Sequence, residues 1–228
     1  AAPYTDLNTL PNRDAVDYLY DIHCLSFAAG DQFLPNQIMT RSDVAQLIYD
    51  AAASMPASSY SFTDVKPGKA ADAMAAVSAQ GILSGYADGS FKPDTIVSRE
   101  EFAGVIYRYL QYCHMADVTE TNVQPYADAD LISAAYKPAV EALHAKHIMV
   151  PADNRFRPAE GITRADAVAV VYQMLHSDKK YVSHVQIESQ VIKIINAEYG
   201  STAAFFQQGT LYWDGDMLVL GLKGNPSK

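Results

Sequence analysis

The sequence predicts a mainly α fold. It reads as three copies of one helix–loop–helix unit, followed by a short C-terminal appendage with a β-hairpin. Two observations predict this. A hydroxyl residue followed by Arg and then acidic residues opens an apolar-periodic run at Thr40, Ser98 and Thr163. Around each copy other landmarks recur: a Phe eight residues before the Arg (Phe33, Phe91, Phe156), and an aromatic-x-Asp ending at Asp6, Asp64 and Asp128, which lies 35, 35 and 36 residues before the Arg. Near-constant spacing over three copies marks one structural unit used three times.

The first helix of each unit is read from its apolar stripe: Val16 and Leu19, then Met74 and Val77, then Val140 and Leu143. A tight turn follows. Asp31, Gly89 and Asn154 stand two residues before the Phe, and these residue types tolerate positive φ. The second helix then starts. Thr40 with Asp43, Ser98 with Glu101, and Thr163 with Asp166 have the Ser/Thr-x-x-acid spacing of a capping box. Val44, Leu47, Ile48 and Ala51 continue at helical period, as do Phe102, Val105, Ile106 and Tyr109, and Ala167, Val170, Val171 and Met174.

Capping does not account for Arg41, Arg99 and Arg164. Each occupies the first helical position, where the positive end of the macrodipole disfavours a cation. Two readings stand. An Arg beside open backbone N–H groups suits a carboxylate or phosphate. Alternatively, each Arg pairs with an acid of a neighbouring repeat.

The middle copy is the fullest, running Phe62-Thr63-Asp64-Val65, Gly85-Tyr86-Ala87-Asp88-Gly89-Ser90-Phe91-Lys92-Pro93, then Ser98-Arg99-Glu100-Glu101. In these residues the chain resembles three consecutive S-layer homology (SLH) domains over about residues 4–176. The resemblance implies a pseudo-threefold helical unit that tethers exported bacterial proteins to the cell wall without covalent attachment. The implied partner is a secondary wall polysaccharide, commonly one bearing pyruvate ketals. It also implies that Arg41, Arg99 and Arg164 face the ligand's carboxylate, and that Gly85 and Gly89 let the backbone approach the sugar. Arg99 is expected to matter most, since its repeat alone keeps the glycine loop. The first and third copies show Ser26–Asp31 and Met149–Asn154 in place of that loop.

Composition sets the remaining bounds. The 228 residues are 49% hydrophobic and 19% charged, enough apolar content for a real core. A net charge of −9, with no basic stripe or nucleic-acid motif, argues against a nucleic-acid partner. It also opposes long-range attraction to an anionic polymer, so binding has to rest on local Arg geometry. No apolar stretch is long enough for a transmembrane segment. The start Ala1-Ala2-Pro3 reads equally as an end left by signal-peptide removal and as a cut boundary. Cys24, placed in the first helix, and Cys113, after the fourth, are expected as buried thiols.

Other candidate sites are weaker. His144 and His147 have a metal-compatible spacing but no sequence partner, and Asp128-Ala129-Asp130 reads as a capped turn rather than a calcium loop. No metal, cofactor or catalytic residue is expected. In the tail, Thr210–Trp213 and Asp216–Leu220 flank a two-residue turn at Asp214-Gly215. Tyr181–Ile195 fits either strand or helix. Trp213 suits a carbohydrate surface or internal packing equally.

The expected division is repeats at 1–58, 59–120 and 121–178, and the appendage at 179–228. The functional expectation is extracellular, non-catalytic anchoring to a wall glycan. A surface-layer subunit or protein-assembly module, self-associating at the cell surface, is the alternative. An enzyme sited in the tail is the least supported.

Overall fold

Each repeat spends its helix-forming sequence on two short helices. The computed structural model describes residues 1–52, 55–118, 120, 122–176, 179–214 and 217–222. In chain order the repeat helices are α1 (Arg13–Asp21), α2 (Arg41–Ala51), α3 (Lys69–Ala79), α4 (Arg99–Tyr112), α5 (Lys137–Ala145) and α6 (Arg164–Leu175). The apolar stripes read from the sequence are all buried. By contacts the chain divides into two units, residues 1–177 and 178–228.

The helices pair across repeats. The principal packed pairs are α2 with α3, α4 with α5, and α6 with α1. The second helix of each repeat therefore covers the first helix of the next, and the third repeat closes on the first. Neither helix of a repeat can bury its stripe alone, so the cyclic arrangement supplies each with a partner.

Closure is completed by backbone hydrogen bonds around a central axis. Met39 N–H donates to Ile162 C=O at 2.9 Å, Ile162 N–H to Val97 C=O at 2.9 Å, and Val97 N–H to Met39 C=O at 3.0 Å. The three side chains are buried, at most 2% exposed. Gly161 is needed here, because a Cβ would lie 2.6 Å from Ile38 Cγ2.

The aromatic-x-Asp landmark acts as a clamp. Asp6 accepts the backbone N–H groups of Phe33 and Leu34, Asp64 those of Phe91 and Lys92, and Asp128 those of Phe156 and Arg157, at 2.8–2.9 Å. The second residue of each pair is held at φ near +55°: 57° at Leu34, 54° at Lys92 and 57° at Arg157. These are bulky residues in the left-handed region, kept there by a carboxylate that satisfies both amides. The clamp also corrects the reading of Asp128, whose side chain caps no helix of its own.

Positive φ in the preceding turn falls at Gly89 and Asn154 as the sequence indicates. In the first repeat it moves from Asp31 to Gly30, whose φ is 96°. Glycine takes up the strain there, leaving Asp31 ordinary.

The first helices end in Schellman motifs. His23, Gly81 and His147 have φ of 63°, 69° and 58°, and the next residues (Cys24, Ile82, Ile148) donate back to Leu19, Val77 and Leu143. Cys24 therefore lies beyond α1, not within it. It is buried, with its thiol 3.3 Å from the Asp50 carbonyl oxygen. Cys113, the C-cap of α4, is a half-buried thiol.

The second unit contains α7 (Lys179–Tyr199), α8 (Thr202–Phe206) and strands β1 (Gly209–Asp214) and β2 (Met217–Leu222). The open choice for Tyr181–Ile195 thus resolves as helix. The strands pair antiparallel from Gly209↔Leu222 to Asp214↔Met217, so Asp214 belongs to the strand. Gly215 and Asp216 lie outside the described residues. Phe205, fully buried, lies against Gly209 and Tyr199. Trp213 is half-buried and donates through Nε1 to Glu188 of α7 at 3.2 Å.

Candidate functional site

The site residues read from the sequence come together where each repeat meets the next, and Arg41 and Arg99 each line a cleft there. The caps set the geometry. Thr40 accepts Asp43 N–H and Asp43 accepts Thr40 N–H, and Ser98 and Glu101 make the same reciprocal pair. Thr163 accepts Asp166 N–H, but the expected capping box is not completed, because the Asp166 carboxylate pairs with Arg99 instead of Thr163 N–H. The Arg is the first helical residue in each case.

The amides beside each Arg are already occupied. Arg41 and Ser42 N–H donate to Thr95 and Pro93, Arg99 and Glu100 N–H to Glu160 and Pro158, and Arg164 and Ala165 N–H to Gln37 and Pro35. The acceptors belong to the Phe-x-Pro turn of the next repeat. A bare helix N-terminus is therefore not what could receive an anion, and only the guanidinium groups remain for that role.

Each guanidinium also reaches into the next repeat. Arg41 donates from Nε to Phe91 C=O at 2.8 Å and from a terminal nitrogen to Ser84 C=O at 2.6 Å. Arg99 donates from Nε to Phe156 C=O, and Arg164 from a terminal nitrogen to Phe33 C=O, both at 2.8 Å. The glycine loop Gly85–Gly89 accordingly faces Arg41, not the Arg99 of its own repeat.

The loop glycines serve the loop itself. A Cβ on Gly85 would lie 2.5 Å from the Phe62 ring and 2.8 Å from Ser90 O. Gly89 has φ of 84° and donates its N–H back to Tyr86 C=O. Packing fixes Gly85 and turn geometry fixes Gly89 within the loop.

The clefts differ in charge. Arg99 pairs with Asp166 at 2.8 Å and is 8% exposed. Arg164 is equally buried, its guanidinium 5.4 Å from the Phe27 ring centroid. Among the described residues its Nε has no hydrogen-bond partner. Arg41 is half-buried, lies 4.9 Å from the Tyr86 ring centroid and 4.7 Å from that of Phe91, and has no carboxylate partner among the described residues. Lys92 Nζ lies 4.0 Å from the Tyr86 centroid. Arg41 lines a cleft of about 410 Å³ together with Ser84, Tyr86, Glu101, Arg108 and Tyr136.

Arg108 and Tyr136 were not singled out from the sequence. Their role depends on the third repeat crossing the second, which no local spacing reveals. Burial lowers the pKa of Arg108, and the nearby Arg41 charge lowers it further.

The histidines are accounted for locally. His144 stacks on Tyr126 with centroids 4.2 Å apart, and His147 contacts Glu120 at 2.9 Å. Among the described residues no group of three or more His, Cys, Asp or Glu could hold a metal ion, and no helix is long and apolar enough to cross a membrane.

Comparison with known proteins follows the repeat. Residues 61–103 and 125–168 match the family described as the S-layer homology domain. A cellulosome-anchoring protein of Acetivibrio thermocellus is 32% identical over 153 residues, covering 64% of this chain and 34% of that protein. Cell surface glycoprotein 1 of the same organism is 27% identical over 157 residues, covering 63% and 7%. An endoglucanase of a Bacillus species is 25% identical over 179 residues, covering 77% and 19%. The chain thus spans about a third or less of the length of these relatives. Outside the matched segments, the first repeat carries the same Asp clamp and reciprocal cap.

Proposed function

We propose that residues 1–178 are three SLH repeats that anchor an exported protein to the bacterial cell wall. The ligand is an anionic wall polysaccharide, a pyruvylated one included, taken up without catalysis at the Arg41 cleft. The working division is 1–58, 59–120 and 121–178, with 179–228 as an appendage. The protein is extracellular and wall-associated on this reading. The observation that carries it is the unequal charge of the clefts. Arg99 is neutralised by Asp166, whereas Arg41 presents a half-buried guanidinium without a carboxylate partner among the described residues, beside Tyr86 and Lys92. The S-layer homology matches and the cellulosome-anchoring relative support the anchoring role.

The test is isothermal titration with purified bacterial wall polysaccharide, intact and with its ketals removed. Charge-assisted hydrogen bonds contribute about 1.5–3 kcal/mol, so Arg41→Ala should weaken binding roughly ten- to a hundredfold. Arg99→Ala should leave the affinity of the folded protein near wild type. Equal affinity for all variants would remove the cleft from the reading and favour an assembly module that contacts protein.

A further inference from the structure

We propose that Arg108 and Tyr136 form a second ligand-contacting pair in the Arg41 cleft, so that the site takes a saccharide segment carrying two anionic groups. This rests on the wall-glycan reading above.

The first observation is surplus charge. Arg13, Arg99 and Arg157 are paired with carboxylates. Arg41 and Arg108 line one cleft, and among the described residues neither lies within ion-pair distance of an acid. Glu101 also borders the cleft and keeps its negative charge while accepting Ser98 N–H at 3.1 Å, but among the described residues it forms no ion pair with either guanidinium. One carboxylate can engage one guanidinium fork, leaving the other guanidinium without a direct partner in a partly desolvated site.

The second observation separates Arg108 from the framework. It lies nine residues after the repeat Arg, and the matching positions hold Asp50 and Gln173. All three side chains tie down the segment after the preceding helix. Arg108 Nε donates to Ile82 C=O at 2.7 Å, Gln173 accepts Met149 N–H at 2.9 Å, and Asp50 accepts Ser26 N–H at 3.1 Å. Asp and Gln thus perform the structural task. The two terminal nitrogens of Arg108 exceed it and make no hydrogen bond with the described residues.

The third observation is the path of Tyr136. An added Cβ on Gly104 would lie 3.0 Å from the Tyr136 ring and 3.3 Å from an Arg108 terminal nitrogen. The bare glycine lets the ring cross α4 beside Arg108. The Tyr136 hydroxyl has no hydrogen-bond partner among the described residues, and the side chain is half-buried at the cleft edge. It is placed to donate to an anionic or hydroxyl oxygen next to Arg108.

The experiment is titration with purified wall polysaccharide in three forms: intact, ketals removed by mild acid, and phosphates removed by hydrofluoric acid. Variants are Arg108→Gln, which keeps a side-chain amide for the framework contact, Arg108→Lys and Tyr136→Phe. Arg108→Gln should lower affinity for intact polymer about tenfold and flatten its salt dependence. Arg108→Lys should retain part of that affinity, and Tyr136→Phe should lose a few-fold. The chemical treatment that abolishes the difference between wild type and Arg108→Gln identifies the second group as carboxylate or phosphate. Unchanged affinity and salt dependence in Arg108→Gln, with Arg41→Ala still impaired, would overturn the second pair alone. Failure of the wild type to bind any form would overturn the wall-glycan reading itself.

Discussion

Replacing Asp128 by Ala should expose how much one carboxylate holds the third repeat. Asp128 is 6% exposed and accepts two backbone N–H groups, from Phe156 and Arg157, each at 2.8 Å. Removing it leaves one amide buried and the other partly so. Hydrogen bonds to charged groups contribute about 1.5–3 kcal/mol each, and water reaching the outer amide recovers part of the second. The expected loss is therefore about 2–4 kcal/mol, a large share of the roughly 5–15 kcal/mol that stabilises a typical domain. Arg157 adds to it, since its φ of 57° has no remaining restraint from this carboxylate. Urea denaturation followed by circular dichroism measures the shift in midpoint. The pH dependence gives a second readout. Burial raises the Asp128 pKa, but the Arg157 and Phe156 amides outweigh it and the net direction is down. A carboxylate with a depressed folded pKa contributes stability that is fully present above its unfolded value, near 3.9, and is lost as pH falls through the folded value. The acid limb of the stability curve should be shallower in Asp128→Ala. A midpoint shift worth less than about 1 kcal/mol, with an unchanged acid limb, would refute the clamp.

Two stability predictions accompany those for binding. Ser98→Ala should cost roughly 0.5–2 kcal/mol by chemical denaturation, because the Glu101 amide loses its cap while the rest of the fold persists. Gly85→Ala should cost about 1–3 kcal/mol through its clash with Phe62 and Ser90. If Gly85→Ala instead weakened polymer binding at unchanged thermal midpoint, the loop would be contacting the glycan directly.

Local signals made much of the fold legible. The hydroxyl–Arg–acid openings mark where α2, α4 and α6 begin, and their apolar stripes are the buried ones. Less legible was anything that depends on which repeat meets which. Arg99 and Gly85 share a repeat in the sequence, yet the loop meets Arg41 because each repeat engages its successor. The left-handed residues Leu34, Lys92 and Arg157 were equally hidden, since the cause is a carboxylate 28 or 29 residues upstream. α7 stayed ambiguous because its short apolar runs satisfy both periods.

The ring of Met39, Val97 and Ile162 gives the repeat number a geometric meaning. In an open solenoid a unit can be added or deleted at the cost of one interface. Here the guanidinium of Arg164 must find the carbonyl of Phe33 across 131 residues, and Asn12 reaches Ala165 across 153. Removing one repeat leaves the others facing an empty third of a circle, with two of the three interfaces lost instead of one. A fourth would have no place at the axis. Loss or gain of a unit is thus a topological event for this chain, whereas one shared position holds Asp50, Arg108 and Gln173 and each still ties down the segment after the preceding helix.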